Sequence, residues 1–175
     1  MKTSVDIDVN AETGVWTTDG LPMLYVPRHF MLNVHDSLEG ALGLAPYSAV
    51  LHQAGSKSAY FWCKQQAESL GIDGIQAFSH YLDRLSARGW GQFRFEETIF
   101  VRGSATVTLR NSIYVLGRSS SAERPVCYMF EGFLSGGMTY LAEQQGWKSG
   151  SFECRETQCQ ALGHEHCVFE IHAKE

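Results

Sequence analysis

Around Gly89 the spacing of apolar residues changes period, and that change limits the folds open to this chain more than any other feature. Upstream the spacing is helical. Phe30, Val34, Leu38 and Leu42 recur every fourth residue between Pro27, suited to a first helical turn, and Gly43, suited to a C-cap. A second helix is expected from about Pro46 to Leu70, with Val50, Leu51, Ala54, Ala59 and Trp62 among its apolar positions. Gly55 and its small neighbours predict close packing there against another helix or a ligand. A third helix, about Ile75 to Arg88, puts Phe78, Leu82 and Leu85 on one stripe and stops at Gly89.

Downstream the period is 2. Phe93 and Phe95 alternate with Arg94 and Glu96, and Val107, Leu109, Ile113 and Val115 share one parity in the next strand, with Arg102-Gly103-Ser104 as the turn between. A polar loop, Arg118 to Glu123, leads into a fourth helix from about Pro125 to Gln145. Its stripe is Val126, Phe130, Leu134 and Met138, with Met129, Phe133 and Leu141 beside it. Two short strands, about 150–157 and 166–172, bracket a glycine-containing loop. At the other end, residues 13–26 read as a hairpin, because Val15-Trp16 and Leu21–Val26 flank Thr17-Thr18-Asp19-Gly20. The order predicts an α+β fold, an antiparallel sheet with a layer of about four helices on one side. One domain is expected over 1–175, with residues 1–26 as an N-terminal hairpin extension.

Composition narrows the partners. The chain is 44% hydrophobic, enough for one core without disulfide support. A net charge of −5 with the 14 basic residues scattered singly argues against a nucleic-acid partner. No apolar run approaches the roughly 18–20 residues that span a bilayer, and the first eight residues lack a signal-peptide core. Five cysteines, an odd number, fit a reducing compartment, so the cytoplasm is the expected location. In such a compartment clustered cysteines more often bind metal than cross-link.

Such a cluster lies in Glu156-Thr157-Gln158-Cys159-Gln160-Ala161-Leu162-Gly163-His164-Glu165-His166-Cys167-Val168-Phe169. A hairpin turning at Gly163 can bring the Cys159 and Cys167 sulfurs to one point. Zinc asks for four ligands in a tetrahedron, so others must join them. Cys127, placed in the first turn of the fourth helix, is a candidate, because the helix-end charge favours a thiolate. Glu156 is the candidate oxygen ligand. Strand parity puts Phe152, Cys154 and Glu156 on one face, so Cys154 rivals Glu156, and His164 and His166 are rivals too. The plain alternative is that these cysteines are small buried hydrophobes.

The same segment resembles the C-terminal signature of 4-vinyl reductase domains, and Cys127 followed by Gly132-Phe133-Leu134-Ser135-Gly136 resembles their Cys and Gly-x-x-Ser-Gly helix. The likeness runs over roughly residues 25–172 and is strongest after 124. It implies a fold shared with vesicle-tethering TRAPP subunits, the ligand-binding fold of NO-signalling and Golgi-transport proteins, usually as a homodimer. In the sensor domains of phenol- and xylene-responsive activators, one Glu and three Cys bind a structural zinc, which carries over onto Cys127, Glu156, Cys159 and Cys167. The chain departs from those sensors in its extra Cys154 and a longer stretch before Glu156. With no activator ATPase or DNA-binding segment following, a stand-alone bacterial domain is expected.

The resemblance points to a small apolar or aromatic molecule bound between helices and sheet. Tyr60, Trp62, Phe78, His80, Tyr81, Phe93 and Phe95 are candidates for the wall, although aromatics on apolar stripes are more often plain core. Two other functions compete: a reductase-like enzyme of catabolic metabolism, and a dimeric interaction or scaffold module. No dinucleotide fingerprint, Gly-x-Ser-x-Gly elbow or open three-ligand metal motif favours catalysis. Binding is the expected role.

Overall fold

A computed structural model describes residues 5–95, 103–116, 122–147 and 150–174. The hairpin is present and gains a strand. Strands β1 (Asp8–Val9), β2 (Trp16–Thr18) and β3 (Leu21–Pro22) pair antiparallel in that order. Asp19 and Gly20 both have positive φ, 55° and 72°, which a two-residue turn between right-twisted strands requires.

Helices α1 (Arg28–Leu42), α2 (Leu44–Leu70) and α3 (Gly74–Ala87) follow. Asp73 caps α3 by accepting from the Gln76 amide at 3.0 Å. The expected stripe of α3 is buried, but that of α1 is not. Phe30, Leu38 and Leu42 are exposed, Val34 is half-buried, and the fully buried residue is His35. The period marks a genuine apolar face, yet α1 packs on the rest of the chain through a different one. On α2 the buried positions are Tyr47, Gly55, Ala59, Trp62, Cys63, Gln66 and Ala67, while Val50 and Ala54 face outward.

The main sheet contains β4 (Gln92–Phe95), β5 (Ser104–Arg110), β6 (Phe152–Gln158) and β7 (Cys167–Ala173) in the order β4-β5-β7-β6, all antiparallel. Ala105, Val107 and Leu109 of β5, Phe152 and Cys154 of β6, and Phe169 and Ile171 of β7 are buried on one face. Glu153, Arg155, Glu170 and His172 alternate with them on the exposed face. The strand expected to run on to Val115 ends at Arg110, because Asn111 takes positive φ (54°) and residues 113–116 form a turn. Glu96, Arg102 and most of the Arg118–Glu123 loop lie outside the described residues.

Helix α4 (Met129–Gln144) lies on the buried face of the sheet and is covered by α2 and α3. It starts at Met129, not Pro125. Phe130 is its hub, its ring 5.1–6.5 Å from those of Phe93, Tyr114, Trp90, Phe133 and Phe169. The glycines explain how α2 fits on top. A Cβ on Gly132 would lie 2.5 Å from the His52 carbonyl oxygen, one on Gly136 would fall onto the Ser56 carbonyl, and one on Gly55 would lie 2.7 Å from the Phe133 ring. These are backbone-close helix contacts. Among the described residues no helix is long and apolar enough to cross a membrane.

Replacing Gly136 by Ala should therefore cost about 2–3 kcal/mol, the upper range for overpacking a tight core. Gly40→Ala on the open face of α1, where an added Cβ meets nothing within 4 Å, should be neutral or stabilise by up to about 1 kcal/mol. Urea denaturation of both variants checks the contrast.

Candidate metal centre and adjoining cavity

Three separated segments bring four ligand atoms together. Cys127 precedes α4, Glu156 lies near the end of β6, Cys159 enters the 3-10 turn Gln160–Leu162, and Cys167 opens β7. All four are buried, and their ligand atoms lie within 4.8 Å of one another. The group could hold a metal ion.

A β-bulge makes this possible. Glu156 pairs with Phe169 but Gln158 pairs with Val168, so Thr157 is an extra residue in β6. In an unbroken strand Glu156 and Cys159, three apart, would point to opposite faces. The bulge shifts the parity, so that Gln158 is exposed and Cys159 turns inward. Cys154 shares the buried face of β6 but stays outside the four-atom group. His164 is exposed and His166 is half-buried, and neither joins it. Cys127 sits two residues before α4 and not in its first turn, with its amide donating to Glu156 Oε2 at 2.8 Å. Ser112, just after β5, lies 3.1 Å from the Cys127 sulfur, and the Gln160 amide donates to the Cys167 sulfur at 3.3 Å.

The donor set suits a soft divalent ion. Cys127 and Cys167 sulfurs are 3.8 Å apart, and two thiolates about 2.3 Å from a tetrahedral zinc would be about 3.8 Å apart. Glu156 Oε1 is buried with no hydrogen-bond partner among the described residues. Without a cation the four groups work against one another. Burial and the negative charge of Cys159 push the Glu156 carboxyl far above the ordinary carboxylate range. The neighbouring thiols of Cys127 and Cys167 hold Cys159 down, and hydrogen bonding to Cys159 and Cys167 raises Cys127. A dry pocket does not accept four negative charges, whereas a bound dication reverses that balance. The residues present fit such an ion.

Next to Cys127, Tyr128 enters a polar network that sequence periodicity gives no sign of. Its hydroxyl donates to Glu39 Oε2 at 2.5 Å and lies 3.2 Å from His35 Nε2; Tyr47 Oη lies 3.3 Å from His35 Nδ1, and Arg124 pairs with Glu39. It forms where α1, α2 and the segment before α4 meet.

The seven pocket candidates lie on α2, α3 and β4, which pack on one another in that order. The Trp62 ring makes tilted contacts with His80 at 5.5 Å and Tyr81 at 5.1 Å, and Phe78 meets Phe95 edge-on. Tyr60 donates to Glu143 at 2.5 Å. Phe93 and Phe95 line a depression of about 330 Å³ with Asp83 and Arg94. A larger cavity, of about 460 Å³, lies under the N-terminal hairpin, and none of the seven lines it.

Comparison with known proteins agrees with this architecture. Residues 1–96 match the family described as domain of unknown function DUF5943, and residues 107–173 match the 4-vinyl reductase domain. The chain belongs to the DUF5943 family and carries a 4-vinyl reductase domain in its C-terminal part, where the cysteine signature lies. No curated protein matches the sequence. The phenol-responsive sensory domain of the transcription activator PoxR, in a structure with phenol, shares the fold at a TM-score of 0.78 and 15% identity, covering 95% of this chain and 84% of that one. A vinyl-4-reductase family protein from Methanocaldococcus jannaschii is similar at 0.54 and 19% identity, covering 87% and 85%. A trafficking protein particle complex subunit 3 from Naegleria fowleri, covalently bound to palmitic acid, is similar at 0.50 and 12%, covering 85% and 95%. The expected α+β fold, shared with trafficking subunits, is the one observed.

The network around Tyr128 yields a pH test. Burial opposes ionisation of Glu39, but the Tyr128 hydroxyl and the Arg124 guanidinium outweigh it and hold the carboxyl below its ordinary value of 4.5. A depressed carboxyl stabilises the fold above that value and loses the contribution as pH falls through its folded value. Glu39→Gln should cost about 1 kcal/mol at pH 7. The gap from wild type should close in acid, as followed by chemical denaturation between pH 7 and pH 3.

Proposed function

We propose that this chain is a ligand-sensing domain for a small apolar or aromatic molecule, with a zinc ion held by Cys127, Glu156, Cys159 and Cys167. The observation that carries this reading is the convergence of three thiols and a carboxyl from three segments on one buried point, at separations suited to tetrahedral zinc. Three sulfurs favour zinc over the hard cations that oxygen ligands select. Four protein ligands leave no open position, which makes the role structural. When bound, the ion supplies positive charge that keeps the thiolates and carboxylate ionised, and the chain's own residues do the rest. Cys127 ties the start of α4, and Cys159 and Cys167 the two arms of the C-terminal hairpin, to one point. Likeness in fold to a phenol-responsive sensory domain supports sensing as the purpose of the rigid frame. The chain acts as one unit, with the β1–β3 hairpin seated on α2 and α3 through Asp19.

Protein purified without added metal or a histidine tag should contain about one zinc per chain by elemental analysis. Cys159→Ser should lose the metal and lower the thermal midpoint, and Cys154→Ser should retain it. Metal-free protein that is folded and reduced would sink the zinc assignment. For sensing, a ligand at about 100 times its Kd adds about 2.7 kcal/mol of stability, so a thermal-shift panel that includes phenol should return at least one stabilising molecule.

A further inference from the structure

The cavity under the N-terminal hairpin carries chemistry of its own. Trp16, Met23 and Tyr25 come from the hairpin segment, Met31 from α1, and Trp90 and Ile113 from beside the sheet, so its walls are largely apolar. At about 460 Å³ it falls within the size range of small-molecule sites. Its charges are one-sided. Arg28 and Arg88 line it, and among the described residues no Asp or Glu does.

The acid behind the wall is already committed. Asp19, at the hairpin turn, receives Arg84 Nε at 2.9 Å and an Arg88 terminal nitrogen at 2.6 Å, both on Oδ2. One carboxylate between two guanidiniums leaves a positive charge over. Arg88 is only 11% exposed, and its Nε is buried with no hydrogen-bond partner among the described residues. Its guanidinium also lies 5.5 Å from the centroid of the Trp62 ring. A cation with surplus charge beside an apolar space is suited to an organic anion, and the planar guanidinium fork matches a carboxylate best.

We infer that this cavity binds a small molecule with an apolar body and one carboxylate, the body lying against Trp16, Met31 and Trp90 and the carboxylate paired with Arg88. Arg28 adds a second positive charge at the wall. The inference rests on the reading that this domain binds a small molecule, and adds the place and the chemical class. It also gives the hairpin a purpose, because the turn that seats it on α3 sits beside the arginine that would receive the ligand.

The test is isothermal titration of the wild-type protein with benzoate and hexanoate, each against the neutral alcohol of the same body, benzyl alcohol and 1-hexanol. At least one carboxylate should bind at least about tenfold more tightly than its alcohol, which corresponds to about 1.4 kcal/mol. Arg88→Met should remove that preference while leaving the alcohol's affinity within about twofold. Arg28→Met, which carries the test if Arg88→Met fails to fold, should reduce the preference severalfold. Met31→Trp, filling the cavity, should abolish binding of both members of the pair with the circular dichroism spectrum unchanged. Equal binding of acid and alcohol, a preference intact in both arginine variants, or carboxylate binding that survives Met31→Trp would each overturn the assignment. If phenol or another neutral molecule stabilises wild type and the Met31→Trp variant equally, while neither carboxylate binds, the cavity assignment falls and the sensing reading stands. If no molecule of either set binds, both fall.

Discussion

The structure depends on how closely α4 can approach α2. Helix α4 is walled by the sheet on one side and by α2 and α3 on the other, with eleven of its residues buried. Gly132 and Gly136 bring its backbone against that of α2, Gly55 admits the Phe133 ring, and Gly137 gives room to Phe78. On the opposite side Ser135 donates to the Phe152 carbonyl at 2.6 Å, tying α4 to β6. A helix fixed on both sides fixes the residues just before it, and those are Cys127 and Tyr128. The metal centre is therefore positioned by packing first, and an ion would lock an arrangement that the core already favours.

Two places in the structure carry an uneven distribution of charge-bearing groups, of opposite sign. Near the C-terminal hairpin three thiols and a carboxyl share one buried place. Under the N-terminal hairpin Arg28 and Arg88 line an apolar space, and behind it Arg88 shares Asp19 with Arg84. Unbalanced buried charge is unfavourable, so on the readings proposed above each place takes the balance from what it binds. At the first site the deficit matches a small, concentrated charge surrounded by sulfur. At the second it matches a diffuse planar anion with an apolar body. The two sites are held by different ends of the chain and share no residue.

Most of the elements are legible in the sequence because they are periodic. The Asp19-Gly20 turn, the stripes of α3 and α4, and the alternation in β5, β6 and β7 all follow from local spacing. What covers an apolar face is not local, which is why α1 keeps its helix but turns Phe30, Leu38 and Leu42 outward and buries His35. The end of β5 is hidden for a related reason. Ile113 and Val115 have strand-like parity, and only the positive φ of Asn111 shows that the chain has already turned. Cys127, Glu156, Cys159 and Cys167 can be named together because a family resemblance supplies the set. Parity alone keeps Cys154 in contention, since the bulge at Thr157 has no residue signature. The His35–Tyr128 network and the cavity under the hairpin depend on segments far apart in the chain, and no spacing rule reaches that far.

Asp19 answers to two demands at once. As the first residue of a tight turn it takes a left-handed backbone conformation, φ 55°, which asparagine or glycine would adopt as well or better. As a side chain it is the shared anion of Arg84 and Arg88, and its carbonyl receives Gln66 of α2 at 2.8 Å. Improvement of the turn for its own sake would remove both ion pairs and leave the Gln66 bond to the backbone as the tie to α2. The position is a compromise, a slightly poorer turn that is also the latch.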